Sequence, residues 1–283
     1  MSQDFQIAML WVEGPLSYME QLCAVSFRDA GHAVRLYHYG PVANVPEGIE
    51  LADGRQVLDP QTFLTHGRTG SPALFSDVFR YHLLRQGDRV IWADTDAYCL
   101  RPFDSETGHF FGWESEKHIN GGVLGLPADS PALDALLHMT RDEYAIPDWY
   151  TAKERAPLEA RAAAGDPVHV ADMPWGVWGP HAITHYLQKT GEAQYALPVH
   201  GLYPVPFLHR RKMGFASKRA RIEGFIKPDT YSVHFYGRRI KRFLAGMGGL
   251  PETGSYIHHL LDKHGIDPAA APLPRYEDAP GAD

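Results

Sequence analysis

Two aspartates separated by one residue follow a short apolar stretch a third of the way along the chain. They are Asp94 and Asp96, and the four residues before them read Val-Ile-Trp-Ala, so the pair is predicted to leave a buried strand rather than a polar loop. Carboxylates bind hard divalent cations, and a cation held in this way keeps positions open for phosphate oxygens. Two carboxylates at this spacing can therefore hold a divalent cation beside phosphate oxygens, with one carboxylate on the metal and the other near a metal-bound water.

A second charged pair precedes the two aspartates on a predicted helix. Apolar residues recur at three- and four-residue spacing over residues 71–86, which predicts a helix. Asp77 and Arg80 share one face of it, where a guanidinium can bind a diphosphate and a carboxylate can bind sugar hydroxyls. We expect Arg80 on an exposed face, where its replacement costs little stability. The alternative is an ordinary surface ion pair beside a turn that the two aspartates cap.

The elements that must position these residues alternate along the chain. Strands are predicted over residues 6–11, 32–39 and 89–93, and a helix over 16–30 precedes Gly31, a helix-ending residue. Strand, helix and strand within about forty residues are typical of a parallel α/β sheet. Ligands of such sheets bind at the carboxyl ends of the strands, where Asp94 and Asp96 lie. The Pro- and Gly-containing residues 42–55 are predicted to be a connection.

The rest of the chain is predicted to complete one α/β domain over residues 1–266. Residues 130–165 become rich in Ala and charge and are predicted to be a helical insertion. The tail, residues 267–283, is acidic and rich in Pro and Ala, so we expect flexibility there. The other predicted elements are strands at 110–113, 122–126 and 230–235 and helices at 131–144, 152–164, 180–190 and 254–264.

Composition excludes several classes of protein. The chain has 283 residues and a formal net charge of −7, which argues against a general nucleic-acid binder. The start has no basic region followed by an apolar run, and no segment approaches the ~20 apolar residues of a membrane-spanning helix. Cys23 and Cys99 have no CxxC partner, so reduced thiols are expected. The cytoplasm is the expected compartment, with peripheral membrane contact left open.

The residues around the two aspartates resemble a known family. SDVFRYHLL, a glycine turn, the apolar run that ends in DTD, and RPFD together span residues 76–104. This block resembles the DXD-containing sugar-transfer enzymes of the GT-A fold, in particular glycosyltransferase family 32 with its capsular-polysaccharide members, and the α1,4-glycosyltransferases. The glucosylating clostridial toxins share the same core. IAMLWVEG, HINGGVLG, WGPHAIT and VHFYG are also similar, so the likeness extends to about residue 240.

The resemblance implies a fold and an activity. The fold is GT-A, a nucleotide-diphospho-sugar transferase or Rossmann-like fold with a mostly parallel central sheet. The activity is retaining hexosyl transfer from a nucleotide-sugar, most simply a UDP-hexose, to a hydroxyl of a glycan or lipid-linked saccharide, as in polysaccharide biosynthesis. The implied cofactor is Mn²⁺ or Mg²⁺. In retaining transfer the leaving diphosphate can help deprotonate the acceptor, so no strong catalytic base is required.

The resemblance also assigns roles to residues. Trp11 is expected to stack on the base, with a core aromatic as the alternative. Asp94 is expected to contact ribose and sugar, and Asp96 to ligate the metal. Asn120 is expected to face the reacting sugar, with a turn-forming Asn as the alternative. The implied donor-binding set is Trp11, Ser76, Asp77, Arg80, Trp92 and Asp94, the metal set is Asp94, Asp96 and His234, and the catalytic set is Arg80, Asp94, Asp96 and Asn120.

Some assignments stay open at this point. His234 is one of sixteen histidines, and Phe235-Tyr236-Gly237 follows it where many relatives carry a Trp, so a structural His is the alternative. Gly179 and Pro180 match a turn that shapes the family's site, with His181 and Thr184 less defined. The basic runs 209–212 and 238–242 either close over the diphosphate or are solvated faces. Glu114 and Glu116 are indistinguishable as acceptor-side carboxylates.

Two competing functions remain. A haloacid-dehalogenase-type phosphohydrolase also ends a strand with Asp-x-Asp, but it needs Thr two residues later, near the start of the domain. Here that position is Tyr98, far from the start. The other alternative is a non-catalytic protein of the same fold that binds nucleotide-sugars as a sensor or scaffold. Donor hydrolysis or transfer separates the two.

Overall fold

A six-stranded sheet lies at the centre of the structure, a computed structural model that describes residues 5–60, 62–68 and 70–274. The α/β class and the mostly parallel central sheet are confirmed, since β5, β3, β1 and β6 run parallel while β9 is antiparallel to β6 and β8. Two further pairs join β2 to β4 and β7 to β10. In chain order the strands are β1 (Gln6–Leu10), β2 (Gly14–Pro15), β3 (Val34–His38), β4 (Val42–Ala43), β5 (Ile49–Asp53), β6 (Val90–Ala93), β7 (Ala97–Cys99), β8 (Phe110–Trp113), β9 (Ile119–Gly125) and β10 (Ser232–His234).

Both faces of the sheet are covered, because alternate residues of each central strand enter different hydrophobic clusters. Ala8 and Trp92 pack in one cluster with side chains of the helices that follow β5 and β9. Ile7 and Ile91, their neighbours in sequence, pack in another with Phe27 of the first helix. Burial on both sides explains the almost continuous apolar runs that predicted these strands.

Helices whose sequence shows an apolar stripe lie close to their predicted positions. α1 begins with a capping box between Ser17 and Glu20. α3 buries Leu133 and Leu136 in the main core, whereas α4 buries no residue. The helices are α1 (Tyr18–Asp29), α2 (Ala73–Gln86), α3 (Pro131–Met139), α4 (Ala152–Ala163), α5 (Ala182–Lys189), α6 (Val199–Leu202), α7 (Arg219–Glu223), α8 (Gly237–Ala245) and α9 (Tyr256–Lys263).

Two sequence-based expectations are corrected by the fold. Residues 42–55 are not merely a connection, because β5 lies within them at the edge of the central sheet. Its outward residues are exposed, so the apolar alternation that marks a strand is weak there. The start of the tail is packed rather than loose: Tyr18 N donates to Ala271 O at 2.7 Å, and Leu273 is buried. The tail beyond residue 274 lies outside the described residues.

Candidate functional site

Asp94 and Asp96 lie where β6 ends at the carboxyl edge of the sheet. The Asp94 N–H donates to Gly122 O of β9 at 2.7 Å, and Ala97 N donates to Asp94 O at 3.0 Å as the chain turns into β7. The pair is therefore fixed by backbone bonds on both sides. This edge is the place where open α/β sheets bind ligands.

Arg80 of α2 connects the aspartates to the helix. Its guanidinium lies 3.2 Å from Asp77 Oδ1 and 3.5 Å from Asp94 Oδ1. It also donates to Gly121 O and stacks over the Trp92 ring, 5.0 Å from the centroid. Arg80 is only 6% exposed, because its side chain points into the interior of the site. The expectation that it lies on an exposed face is therefore wrong. The surface-pair alternative fails for the same reason.

The two carboxylates that face Arg80 are destabilised as anions by burial. Burial raises the pKa of Asp77 to about 7, against the opposing effect of Arg80. Burial also raises the pKa of Asp94, again against Arg80. Trp92 Nε1 donates to Asp94 Oδ1 at 2.7 Å and orients that carboxylate. The backbone of Gly179 packs against Asp77, since a Cβ there would lie 3.0 Å from Asp77 Oδ2.

Asp96 has a different environment. Its Oδ2 accepts a hydrogen bond from Gly237 N at 2.6 Å, and its Oδ1 lies 3.2 Å from His234 Nε2. Burial alone would raise the pKa of Asp96, but His234 outweighs it and the pKa is lowered. The pKa of His234 is raised, because Asp96 outweighs its burial. Asp96 is thus the site's stable anion.

Asp94, Asp96 and His234 fit a divalent cation. One ligand atom from each lies within 4.8 Å of the others. Among the described residues, Asp96 Oδ1 is buried and its 3.2 Å contact with His234 Nε2 does not meet hydrogen-bond geometry, so this oxygen can take a metal ion. Two carboxylates and an imidazole suit Mn²⁺, and the carboxylates alone suit Mg²⁺. His234 Nδ1 accepts a hydrogen bond from Tyr236 N at 3.2 Å, so Nε2 carries the ring proton and faces Asp96; His234 would have to release that proton to ligate through Nε2, which makes it the weakest of the three candidate ligands.

Two cavities meet at the charged cluster. The larger is about 600 Å³ and the smaller about 440 Å³, and both are lined by Arg80, Asp94 and Asp96. Of the other residues predicted to bind donor or acceptor, Asp77, Asn120 and His234 line the larger cavity, whereas Trp11, Ser76 and Trp92 line the smaller one. The structure therefore brings the whole predicted set to one site but divides it between two spaces.

Asn120 is not in a turn. It lies within β9, with Oδ1 accepting from Gly122 N at 2.7 Å and Nδ2 donating to Glu114 Oε2 at 3.0 Å. Glu114 lines the larger cavity, and this distinguishes it from exposed Glu116. The cavity is also lined by Pro180 and His181. Thr184 has a structural contact instead: its Oγ1 accepts a hydrogen bond from Ile119 N at 2.9 Å and so fixes the start of β9.

Sequence reasoning missed α8 and Trp175. α8 begins at Gly237, the donor to Asp96, and projects Arg238, Arg239 and Arg242 into the larger cavity. The apolar spacing of Ile240 and Leu244 signals this helix, but the arginines concealed it. Trp175 lines the same cavity and is 47% exposed. The run 209–212 lines neither of the two cavities.

Comparisons with known proteins give structural likeness only. No protein-family profile and no curated protein matches the chain. The PaToxG glycosyltransferase is 12% identical, with a TM-score of 0.42 over 68% of this chain and 71% of that one. Mouse xyloside xylosyltransferase 1 in its apo form is 11% identical, with a TM-score of 0.39 over 81% and 96%. A transferase with two cysteines replaced by serine is 10% identical, with a TM-score of 0.34 over 60% and 88%. At TM-scores below 0.5 these likenesses assign no activity.

Among the described residues, no helix combines the length and the apolar character that crossing a bilayer requires.

Proposed function

We propose that this chain is a metal-dependent glycosyltransferase of the GT-A type, which moves a hexosyl group from a UDP-sugar to a hydroxyl of a saccharide acceptor with retention of configuration. One observation carries the proposal: a charged cluster, in which Asp77 and Arg80 are buried and Asp94 and Asp96 half-buried, joins two cavities. Transfer needs two substrates that meet at one diphosphate. A site with two spaces and a shared charged wall suits that requirement.

The smaller cavity suits the nucleoside of the donor. Trp11 offers a partly exposed ring for a base, and Lys241 Nζ lies 5.3 Å from the centroid of that ring. From there a diphosphate reaches Asp96, the N-terminal N–H groups of α8 and Arg238, which lines both cavities. The positive end of a helix dipole and a guanidinium stabilise phosphate charge.

The metal is held by Asp94 and Asp96 in this proposal, with His234 as the third candidate ligand. When bound, Mn²⁺ or Mg²⁺ neutralises the charge that develops on the leaving diphosphate. Arg80 holds Asp94 and Asp77 in position, and Asp77 accepts hydrogen bonds from the donor sugar. Because these groups are fixed before the substrate arrives, their electrostatic effect requires little reorganisation.

The larger cavity suits the acceptor. Trp175 presents an aromatic face on which a sugar ring can stack, and Glu114 with Asn120 offers hydrogen-bonding groups on the same cavity wall. The Glu114 carboxylate is engaged by Asn120 rather than free, which agrees with a retaining reaction that needs no dedicated base. Retention is tested by the anomeric configuration of the product.

The decisive experiment measures transfer and hydrolysis with a panel of UDP- and GDP-sugars, in Mn²⁺ and in EDTA. The proposal expects Mn²⁺-dependent release of UDP from one donor, faster with a saccharide acceptor. Binding of a UDP-sugar with no turnover on any acceptor supports the sensor alternative instead. Equal donor affinity in EDTA and in Mn²⁺ contradicts the metal assignment, and release of phosphate from p-nitrophenyl phosphate supports the phosphohydrolase.

A further inference from the structure

Positive charge is concentrated in one part of this acidic protein. The chain has a formal net charge of −7, yet residues 207–247 hold 11 Lys or Arg and 2 Asp or Glu. The remainder is therefore strongly acidic. Such an asymmetry orients a protein against a charged surface, because one side is attracted and the other repelled.

Part of this segment forms a rim at the mouth of the larger cavity. We define the rim as Phe207, Leu208, Arg211, Arg238, Arg239 and Arg242. Phe207 and the three arginines of α8 line the cavity. Leu208 is 84% exposed, the largest value among the large apolar side chains that the structure describes.

The rim is one packed surface rather than two separate runs. The Phe207 ring lies 5.1 Å from the Tyr236 ring, at the start of α8. The Arg211 guanidinium lies 5.4 Å from the ring of Phe243, which belongs to α8. The 3₁₀ segment Phe207–Gly214, which carries Leu208, therefore packs against α8, which carries the other arginines.

We propose that the rim docks on an anionic lipid surface, with the mouth of the larger cavity facing the headgroups. Arginines beside an uncovered Leu match a bilayer, which offers anionic headgroups and, just below them, apolar chains. A nucleic acid offers phosphates but no partner for an exposed Leu. The acidic remainder points away from the lipid by repulsion. Docking does not depend on glycosyl transfer, whereas delivery of a lipid-linked acceptor to this mouth rests on the proposed function.

The test is co-sedimentation of the full chain with vesicles of phosphatidylcholine, alone or with phosphatidylglycerol. We expect at least about tenfold tighter binding to the anionic vesicles, since each basic residue near such a surface contributes to affinity. The difference should shrink at high salt, because salt screens exposed charges. The double variant Leu208→Ser/Arg211→Ser should lose most of the anionic preference.

A matched control keeps the number and type of changes the same. Leu51→Ser/Lys153→Ser also replaces one exposed apolar and one exposed basic residue, but far along the chain, on β5 and α4. All four positions are exposed, so both variants should remain folded, with Leu208→Ser/Arg211→Ser losing at most the small stabilisation of the Arg211–Phe243 contact. Equal losses in the two variants, or equal binding to both kinds of vesicle, overturn the proposal.

Two further readouts separate the possible failures. If the chain binds a DNA duplex tightly but binds no vesicles, the partner is a nucleic acid rather than a lipid, and the proposal is overturned. UDP binding in Mn²⁺, measured on the same samples, should not change in either variant. If the wild type binds anionic vesicles but no nucleotide, docking stands and the proposed function fails.

Discussion

At the scale of single residues, the site is a set of charges that neutralise one another where two cavities meet. The Arg80 guanidinium forms ion pairs with two carboxylates and donates a hydrogen bond to a backbone oxygen, and the residue is only 6% exposed. Such a group is stable only while its partners remain, because a lone buried charge is costly. Asp96, in contrast, has one oxygen whose contact within the described part of the chain, with His234 Nε2 at 3.2 Å, does not meet hydrogen-bond geometry. The first arrangement holds the site together, and the second leaves it ready for a cation.

Asp96→Asn should abolish the effect of Mn²⁺ on donor binding. An amide replaces the anion that is assigned to the metal, and changes even to the groups around a metal's ligands cost about 10–100-fold in affinity. Titration of UDP with and without Mn²⁺ measures the effect, with a loss of at least about tenfold expected. Asp104→Asn, an exposed aspartate that lines neither cavity, is the control. Unchanged Mn²⁺ dependence in Asp96→Asn contradicts the assignment.

Arg80→Ala should destabilise the protein as well as inactivate it. The change leaves buried Asp77 and half-buried Asp94 without their counter-charge, at a cost of up to about 3–5 kcal/mol in the free energy of unfolding, less whatever protonation of Asp77 recovers. Arg85→Ala on the same helix removes an exposed ion pair with Asp134 and should cost at most about 1 kcal/mol. Urea denaturation compares the two.

A second variant separates charge from packing at Arg80. Adding Asp77→Asn to Arg80→Ala should recover part of the lost stability, because one uncompensated carboxylate disappears. If Arg80→Ala is no more destabilising than Arg85→Ala, the buried cluster has no structural role.

At the scale of elements, α8 connects the site to the C-terminal half of the chain. Its first residue, Gly237, donates to Asp96, and its arginines line the larger cavity. The sequence showed the charge run but not the helix, because its buried positions, Ile240 and Leu244, are separated by basic residues. The turn of β6 into Asp94 was predictable, since a contiguous apolar run precedes it. What brings α8 to Asp96 is the pairing of β10 with β7, a contact between distant segments that local patterns do not contain.

Gly237→Ala should weaken metal and donor binding without weakening the helix. A Cβ at this position would lie 2.9 Å from Asp96 Cβ and 3.0 Å from Asp96 Oδ2, so the carboxylate must shift. Gly246→Ala at the other end of α8 meets only ordinary contacts, 3.5 Å or longer, and is the matched control. Mn²⁺-dependent UDP affinity should fall in the first variant only. Equal affinities in the two variants contradict a positioning role for this N–H.

Protonation of Glu192 should cost the protein stability in acid. It accepts hydrogen bonds from Ser130 Oγ at 2.5 Å and Ala132 N at 2.8 Å at the start of α3, and it pairs with His109. Burial raises its pKa, but these bonds outweigh it and the pKa is lowered from 4.5. A carboxylate with a depressed pKa stabilises the fold above the pKa of the unfolded chain and loses that contribution as the pH falls.

The expected comparison is between wild type and Glu192→Gln across pH 3–7. The wild type should be more stable by about 1–3 kcal/mol near neutrality, and the difference should shrink below about pH 4.5, where the unfolded carboxylate takes up a proton. Thermal denaturation at each pH measures it. If the stability difference between wild type and Glu192→Gln does not vary with pH, it arises from the shape of the side chain rather than from its charge.

At the scale of the whole molecule, the sheet edge separates two cavities that share one charged wall. The sequence predicted the sheet and the residues of the wall, because the block 76–104 is contiguous and strongly patterned. It did not predict how the site divides into two cavities, since Trp11 and Trp175 come from segments far apart along the chain. Nor did it predict burial of the Asp77–Arg80 pair, because Gly121 packs against Arg80 and Gly179 against Asp77, and both glycines belong to later segments.

Two tryptophan variants should separate the spaces functionally. Trp11→Ala should raise the KM for the donor, and Trp175→Ala should raise the KM for the saccharide acceptor while leaving donor hydrolysis unchanged. Losses of about 1–3 kcal/mol, or roughly 5–150-fold, are typical of a removed aromatic contact. Tyr144→Ala, a similarly exposed aromatic that lines neither cavity, is the control. Equal effects of both tryptophans on both substrates contradict the division.

The hydrogen bond between Gly237 and Asp96 joins positions 141 apart along the chain, and this has a consequence for the order of folding. The parallel strands β1 and β3 pair across one intervening helix, so they need to close only a short loop. The site needs a much longer closure, whose entropy must be lost before the contact forms. A refolding chain should therefore regain its helical circular dichroism before it regains nucleotide binding, and activity reports the last part of the molecule to assemble.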